Sequence, residues 1–145
     1  MGERPTRADY VAWRTITTRW RDDDAYGHLN NATYYELFDT AVNAYLYEAT
    51  GVDIRALPQI GVVAETGCRY FREVGFPAPI ETGLVVDRVG RSSVVYRIGL
   101  FQGDGEDAAA EGRFVHVYVD NTDPARPSTP IPDVIRAAVE PLVRA

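Results

Sequence analysis

Lysine is missing from this 145-residue chain; all 15 of its basic side chains are arginine. Positive charge is therefore carried by planar forks that suit phosphate oxygens rather than by flexible point charges. The lysine-free, Ala- and Val-rich composition also fits a GC-rich bacterial genome. Cysteine is nearly missing too. Cys68 stands alone, which excludes an internal disulfide and a zinc site of four thiolates. Only two histidines exist to activate that thiol, so a small core residue is the expected role for Cys68. No stretch approaches the roughly 18 apolar residues of a membrane span. The first residues carry Glu3, Arg4 and Arg7 in place of an apolar signal region. A cytoplasmic protein without membrane contact is the expectation. Basic excess is lacking as well: the net charge of −6 and the want of a basic stripe argue against nucleic acid as a partner. Also absent are a glycine-rich phosphate loop, a dinucleotide fingerprint, zinc-ligand spacing and a serine nucleophile elbow. Nothing calls for a metal or a redox cofactor.

What is present is ordinary for a globular protein, with 46% hydrophobic and 25% charged residues and no low-complexity tract. Its length suits one domain, 1–145. The densest chemistry runs from Arg19 to Tyr34. Three carboxylates, a glycine, a histidine and two asparagines fall within ten residues, directly before an apolar pattern of helical period. Such a run leaves a strand, makes a polar turn and delivers an acid beside a helix N-terminus. Free backbone N–H groups and the positive end of the helix dipole lie there, suited to an oxyanion. A carboxylate beside an oxyanion site is a plausible device for acyl transfer to water.

Around that run the pattern predicts a strand over residues 13–21 and a helix from Ala32 to Thr50, capped by Asn30 or Asn31 and stopped by Gly51. The helix carries aromatics and alanines over a wide arc and is expected to be enclosed. Strands follow at about 60–72, 78–89, 92–102 and 108–120, separated by turn chemistry. In the fourth strand Val94, Tyr96, Ile98 and Leu100 share one face, opposite Ser93, Arg97 and Gly99. Residues Asn121–Pro132, with four prolines, form a crossover, and Ile131–Val139 a short helix. One strand, a long helix and four antiparallel strands make an α+β domain.

The segment Asp22-Asp23-Asp24-Ala25-Tyr26-Gly27-His28-Leu29-Asn30-Asn31, with Tyr34, Phe38 and Asp39 behind it, resembles the acyl-CoA thioesterases of the hotdog fold. Within them it is most similar to the 4-hydroxybenzoyl-CoA thioesterase-like group. Segments Val62–Tyr70, Pro77–Val89 and Gly90–Val94 fit the same order, so the likeness spans roughly residues 10–140. It implies a five-stranded antiparallel sheet wrapped around one long helix, assembled as a homodimer or homotetramer with sites at the interface. It further implies hydrolysis of an acyl-CoA, or of an acyl-carrier-protein thioester, with CoA as part of the substrate and no separate cofactor.

Each residue has a plainer reading beside the functional one. Three adjacent acids repel, so at least one is expected to titrate high if partly buried; alone they would be a solvated turn. The resemblance places the essential carboxylate at Asp24, as nucleophile or as general base for water. Asp22 then serves as a structural acid and Asp23 faces solvent. Gly27 supplies a positive φ or close approach of the substrate chain. His28 orients the site or packs. Asn31 caps the helix or, by the resemblance, polarises the thioester carbonyl through backbone N–H. Tyr34 lines the acyl pocket or belongs to the core. Arg88, Arg91 and Ser92 meet at one turn and are candidates for gripping the CoA phosphates, or form surface pairs. Glu65 and Arg69 share a strand face and are expected to pair. His116 is expected in the core or an interface. Two other functions compete: enoyl-CoA hydration, for which Asp23 and His28 have the spacing but Tyr26-Gly27 the wrong intervening residues, and a non-catalytic hotdog module that binds acyl-CoA or only oligomerises.

Overall fold

A computed structural model describes residues 4–144. In chain order the elements are β1 (Ala12–Ile16), α1 (Asn31–Thr50), β2 (Gln59–Tyr70), β3 (Ile80–Val89), β4 (Ser93–Phe101), β5 (Ala110–Asp120) and α2 (Asp133–Val139), with short 3-10 turns between them. The strands form one antiparallel sheet in the order β1-β3-β4-β5-β2, so the first two strands in sequence lie at opposite edges. This is the α+β hotdog arrangement that the sequence pattern and the resemblance both imply.

Helix α1 starts where Asn30 turns its side chain back to accept the Ala32 N–H at 2.9 Å, and ends at Gly51 in the left-handed conformation. Its inner side buries Tyr34, Leu37, Phe38, Ala41, Val42 and Leu46 against the sheet. Phe38 sits so close that a Cβ on Gly112 of β5 would overlap its ring, so glycine there is what admits the helix. In β4, Val94, Tyr96, Ile98 and Leu100 all face this core and are fully buried, as the alternation requires. The opposite side of α1, including Glu36, Asp39, Thr40 and Glu48, is open. One sheet covers one flank, so within a single chain the helix is not enclosed as its aromatic content suggests.

Strand β1 stops at Ile16, opposite Ile80, rather than continuing to Arg21. Beyond that pair no neighbouring strand receives it. Asp22 then closes a 3-10 turn over Trp20–Asp22 by accepting the Arg19 N–H at 2.7 Å. The remaining boundaries lie within two residues of expectation, and α1, β3, β5 and α2 end where expected, at Thr50, Val89, Asp120 and Val139.

Strand β2 stands apart from the other long strands, because none of its 12 residues is buried. It forms the outer edge beside β5, and the register shifts by one residue between Val63 and Glu65. Val63 and Tyr70 are about half exposed although both lie on the helix side of the sheet. On the other face Glu65 pairs with Arg113 of β5, and Arg69 reaches Glu111 at 3.1 Å. The expected Glu65–Arg69 pair is thus replaced by two cross-strand pairs, one directly opposite and one diagonal, since such neighbours come closer than residues four apart along one strand. Cys68 is half-buried against the core, and burial pushes its thiol up to about 11, far from a reactive thiolate.

Candidate active site

The polar run between β1 and α1 is held by a lattice of backbone bonds. Asn30 donates its N–H to the Asp22 carbonyl at 2.7 Å, Leu29 to Val74 at 2.8 Å, and Asp24 to His28 at 2.8 Å. Gly27 crosses at φ +79°, the positive value expected of it, and its carbonyl lies against Gly75. Gln102 grips the far wall, donating to the carbonyls of Gly75 and Ala78 at 2.7 and 2.9 Å.

The three acids go three ways. Asp22 is buried, and its carboxylate accepts from both the backbone and the guanidinium of Arg19. Burial pushes its pKa up, but those hydrogen bonds and the Arg19 charge outweigh burial and hold it below the usual range. Repulsion within the triad therefore does not raise it as expected. Asp23 is half-buried rather than solvent-facing, since its carboxylate caps the Phe76 N–H at 3.1 Å. Asp24 is exposed. One oxygen, Oδ1, accepts the N–H groups of Tyr26 at 2.8 Å and His28 at 3.3 Å, which fixes its direction, and the residue borders a cleft of about 300 Å³ lined by Trp20, Asp23, Asp24, Ala25 and Gly27.

His28 turns its Nε2 to Glu73 at 2.8 Å. Asp23 and His28 are thus engaged by different partners, Phe76 and Glu73. Asn31 is the first residue of α1, where backbone N–H groups have no partner within the helix, and its side chain accepts from the Tyr70 hydroxyl. Tyr34 is core, 5% exposed, with its ring edge-on to Tyr70 at 5.0 Å. Around the cleft Trp20, 81% exposed, meets Phe76 edge-on at 6.0 Å. Glu73, Tyr70 and Phe76 join the site without a local signal, because each meets a partner 39 or more residues away in sequence.

Arg88, Arg91 and Ser92 lie elsewhere. They flank the β3–β4 turn, where Arg91 donates to the Ser92 hydroxyl at 3.2 Å and Ser92 accepts from the Tyr118 N–H. That turn sits beside Val117 and Val62, whereas Asn31 and the loop meet Tyr70. Eight residues of strand, about 26 Å, separate the two places in one chain.

Comparison with known proteins agrees with the fold. A model of the thioesterase-like superfamily matches residues 18–139. The PA5185 protein from Pseudomonas aeruginosa strain PAO1 is 46% identical and superposes with a TM-score of 0.92, covering 99% of each chain. The PA2801 protein from the same organism is 34% identical over 87% of this chain and 95% of its own, with a TM-score of 0.78. Slr0204, a 1,4-dihydroxy-2-naphthoyl-CoA thioesterase from Synechocystis, shares the fold at a TM-score of 0.79 with 11% identity, covering 88% and 93% of the two chains. No curated protein matches the chain. Among the described residues no helix is long and apolar enough to cross a membrane.

Proposed function

The chain belongs to the thioesterase-like superfamily, and from that premise we propose that it hydrolyses acyl-CoA thioesters to free acid and CoA, with Asp24 as the essential carboxylate. The observation that carries this reading is the exposed Asp24 side chain, aimed by two backbone N–H groups in the loop that runs into the N-terminus of a 20-residue helix. As general base, Asp24 takes a proton from water while the water oxygen attacks the thioester carbonyl carbon. The carbonyl oxygen gains the negative charge and rests on the free N–H groups at Asn31. Collapse breaks the carbon–sulfur bond, and the leaving thiolate recovers the proton from Asp24. As nucleophile, Asp24 would instead form an anhydride that water then opens.

His28, held by Glu73, and Gly27 shape the loop that presents Asp24. Asn31 positions the carbonyl, and Tyr34 stiffens the wall from the core. The open edge of β2 pairs with a second copy of the chain, which also removes an aggregation-prone edge. Arg88, Arg91 and Ser92 grip CoA phosphates for the other copy's site, since they lie too far from their own Asp24.

Release of free CoA thiol, followed over short, medium, long and aryl acyl-CoAs with Asp24→Asn alongside, tests the proposal. Turnover that vanishes in the variant supports it; full turnover in Asp24→Asn removes Asp24 from the chemistry. A single turnover in ¹⁸O-water tests the nucleophilic role, because water that opens the anhydride at its Asp24 carbonyl leaves label in the Asp24 carboxylate and a general base never does.

A further inference from the structure

The cleft that Asp24 borders has walls unlike those of an acyl pocket. It is lined by Trp20, Asp23, Asp24, Ala25 and Gly27, and Ala25 supplies the one aliphatic side chain among them. Aliphatic walls lie instead at the Gly61 end of β2, where Leu46, Ile54, Leu57, Ile60 and Ile135 line part of a cavity of about 180 Å³. Nor does the Asp24 cleft suit a phosphate, because its lining residues include two carboxylates and no cation. Its one large side chain is Trp20, which is 81% exposed.

That indole is held in place although little covers it. The Trp20 carbonyl accepts the Asp23 N–H at 3.4 Å, within the 3-10 turn that buried Asp22 closes. Phe76 meets the ring edge-on, and Phe76 is itself fixed by its N–H, which donates to the Asp23 carboxylate at 3.1 Å. The inward turn of Asp23 thus sets the aromatic pair. An indole ordered in this way, with its surface still open, is preorganised for a flat partner.

We infer that Trp20 is a substrate-binding residue whose indole packs against the amide-bearing pantetheine arm of CoA beside the sulfur, and not against the acyl group or the nucleotide. A neutral amide suits this cleft on three counts. Its plane stacks on an indole. Its N–H finds acceptors in the cleft carboxylates. It brings no negative charge toward Asp23 and Asp24. The arm also has the reach, because only a short ethylene link separates its first amide from the sulfur of the thioester that Asp24 is to attack. The inference rests on the thioester-hydrolase reading above and names how that substrate is gripped. Since the arm is unchanged between ground state and transition state, losing the contact raises KM and leaves kcat alone.

The first test follows tryptophan fluorescence as CoA, pantetheine and adenosine 3′,5′-bisphosphate are titrated onto the wild-type protein. Saturable quenching by CoA and by pantetheine is expected, with none by the bisphosphate, and the quenching is expected to vanish in Trp20→Phe. The second test is thiol release. Trp20→Ala is expected to raise KM about tenfold, the upper range of one aromatic stacking contact, and by a similar factor for acetyl-, benzoyl- and long-chain acyl-CoA. Trp20→Phe, which keeps a flat ring, is expected to restore part of the loss. An unchanged KM in Trp20→Ala, a change confined to one acyl group, or quenching by the bisphosphate alone overturns the inference and leaves thioester hydrolysis standing. Quenching by pantetheine with no thioester hydrolysed overturns the hydrolase reading, while the contact between Trp20 and the arm stands.

Discussion

At the Tyr70 end of β2 the polar groups, from buried Asp22 to exposed Asp24, are paired; at the Gly61 end His116 is buried and its Nδ1 is paired to nothing among the described residues. The first region is held by hydrogen bonds, some local, such as Asp22 to Arg19 and Asp24 to Tyr26 and His28, and some distant in sequence, such as Leu29 to Val74 and Asp23 to Phe76. The second is held by packing from α1, β2, β5 and α2, and within it one imidazole nitrogen is left unpaired among the described residues. A loop of the first kind can lose a functional group and keep its shape, because the backbone bonds do the holding. A site of the second kind cannot, because the functional group is also a piece of the core.

That contrast can be broken by experiment. The largest expected effect is at the loop: Asp24→Asn should lower kcat by about a thousandfold with an unchanged melting temperature, read by thiol release and calorimetry on one sample. A large loss of stability in this variant would show that Asp24 holds the loop as much as it serves the chemistry. Next, the cavity end should respond to acid. The unfolded chain protonates a histidine near its ordinary 6.5, whereas folded His116 resists until about 4. The unfolded state therefore binds more protons in this window, and stability falls as pH drops from about 6.5 to about 4, by about 3 kcal/mol in all. His116→Phe should remove that part of the slope in denaturant titrations at stepped pH, with Asp24→Asn keeping it. Asp22→Ala, which strips the Arg19 turn of its acceptor, should cost about 2 kcal/mol and also weaken activity. Thermal unfolding and turnover together would separate a displaced loop from a merely looser one. Smallest, Asn30→Ala should cost about 1 kcal/mol through the lost helix cap, with kcat changed little if the Asn31 N–H groups keep their direction.

The same contrast explains what could be read before the structure. Strand β4 and helix α1 are dictated by periods of two and 3.6 residues, and β3 and β5 by apolar runs between turn residues, so their existence and order are plain from the pattern. The loop was legible because its chemistry is packed into ten consecutive residues, and Gly27 and Asn30 do what their types dictate. Its details were not. Asp23 turns inward because Phe76, 53 residues on, offers an N–H, and His28 meets a glutamate that no spacing announces. The early end of β1 and the open flank of α1 depend on which strand lies alongside, a property of the sheet and not of either segment. The cavity was least visible, since Leu46, Ile54, His116 and Ile135 come from four stretches with nothing local to join them.

The one-residue shift in β2 carries a consequence for how the gene can vary. Val63 pairs with His116 and Glu65 with the very next residue, Val115, so Ala64 is supernumerary. By bulging, it turns the alternation over, which is why Tyr70 reaches the helix side and Arg69 the Glu111 side. A deletion of codon 64 would leave every β2–β5 pairing as it is and remove only the kink. A deletion at Thr66 or Gly67, a few codons on, would carry the neighbouring side chains to the wrong faces. Length variation in the longest strand is therefore confined to a single codon, at the centre of an otherwise indel-intolerant edge.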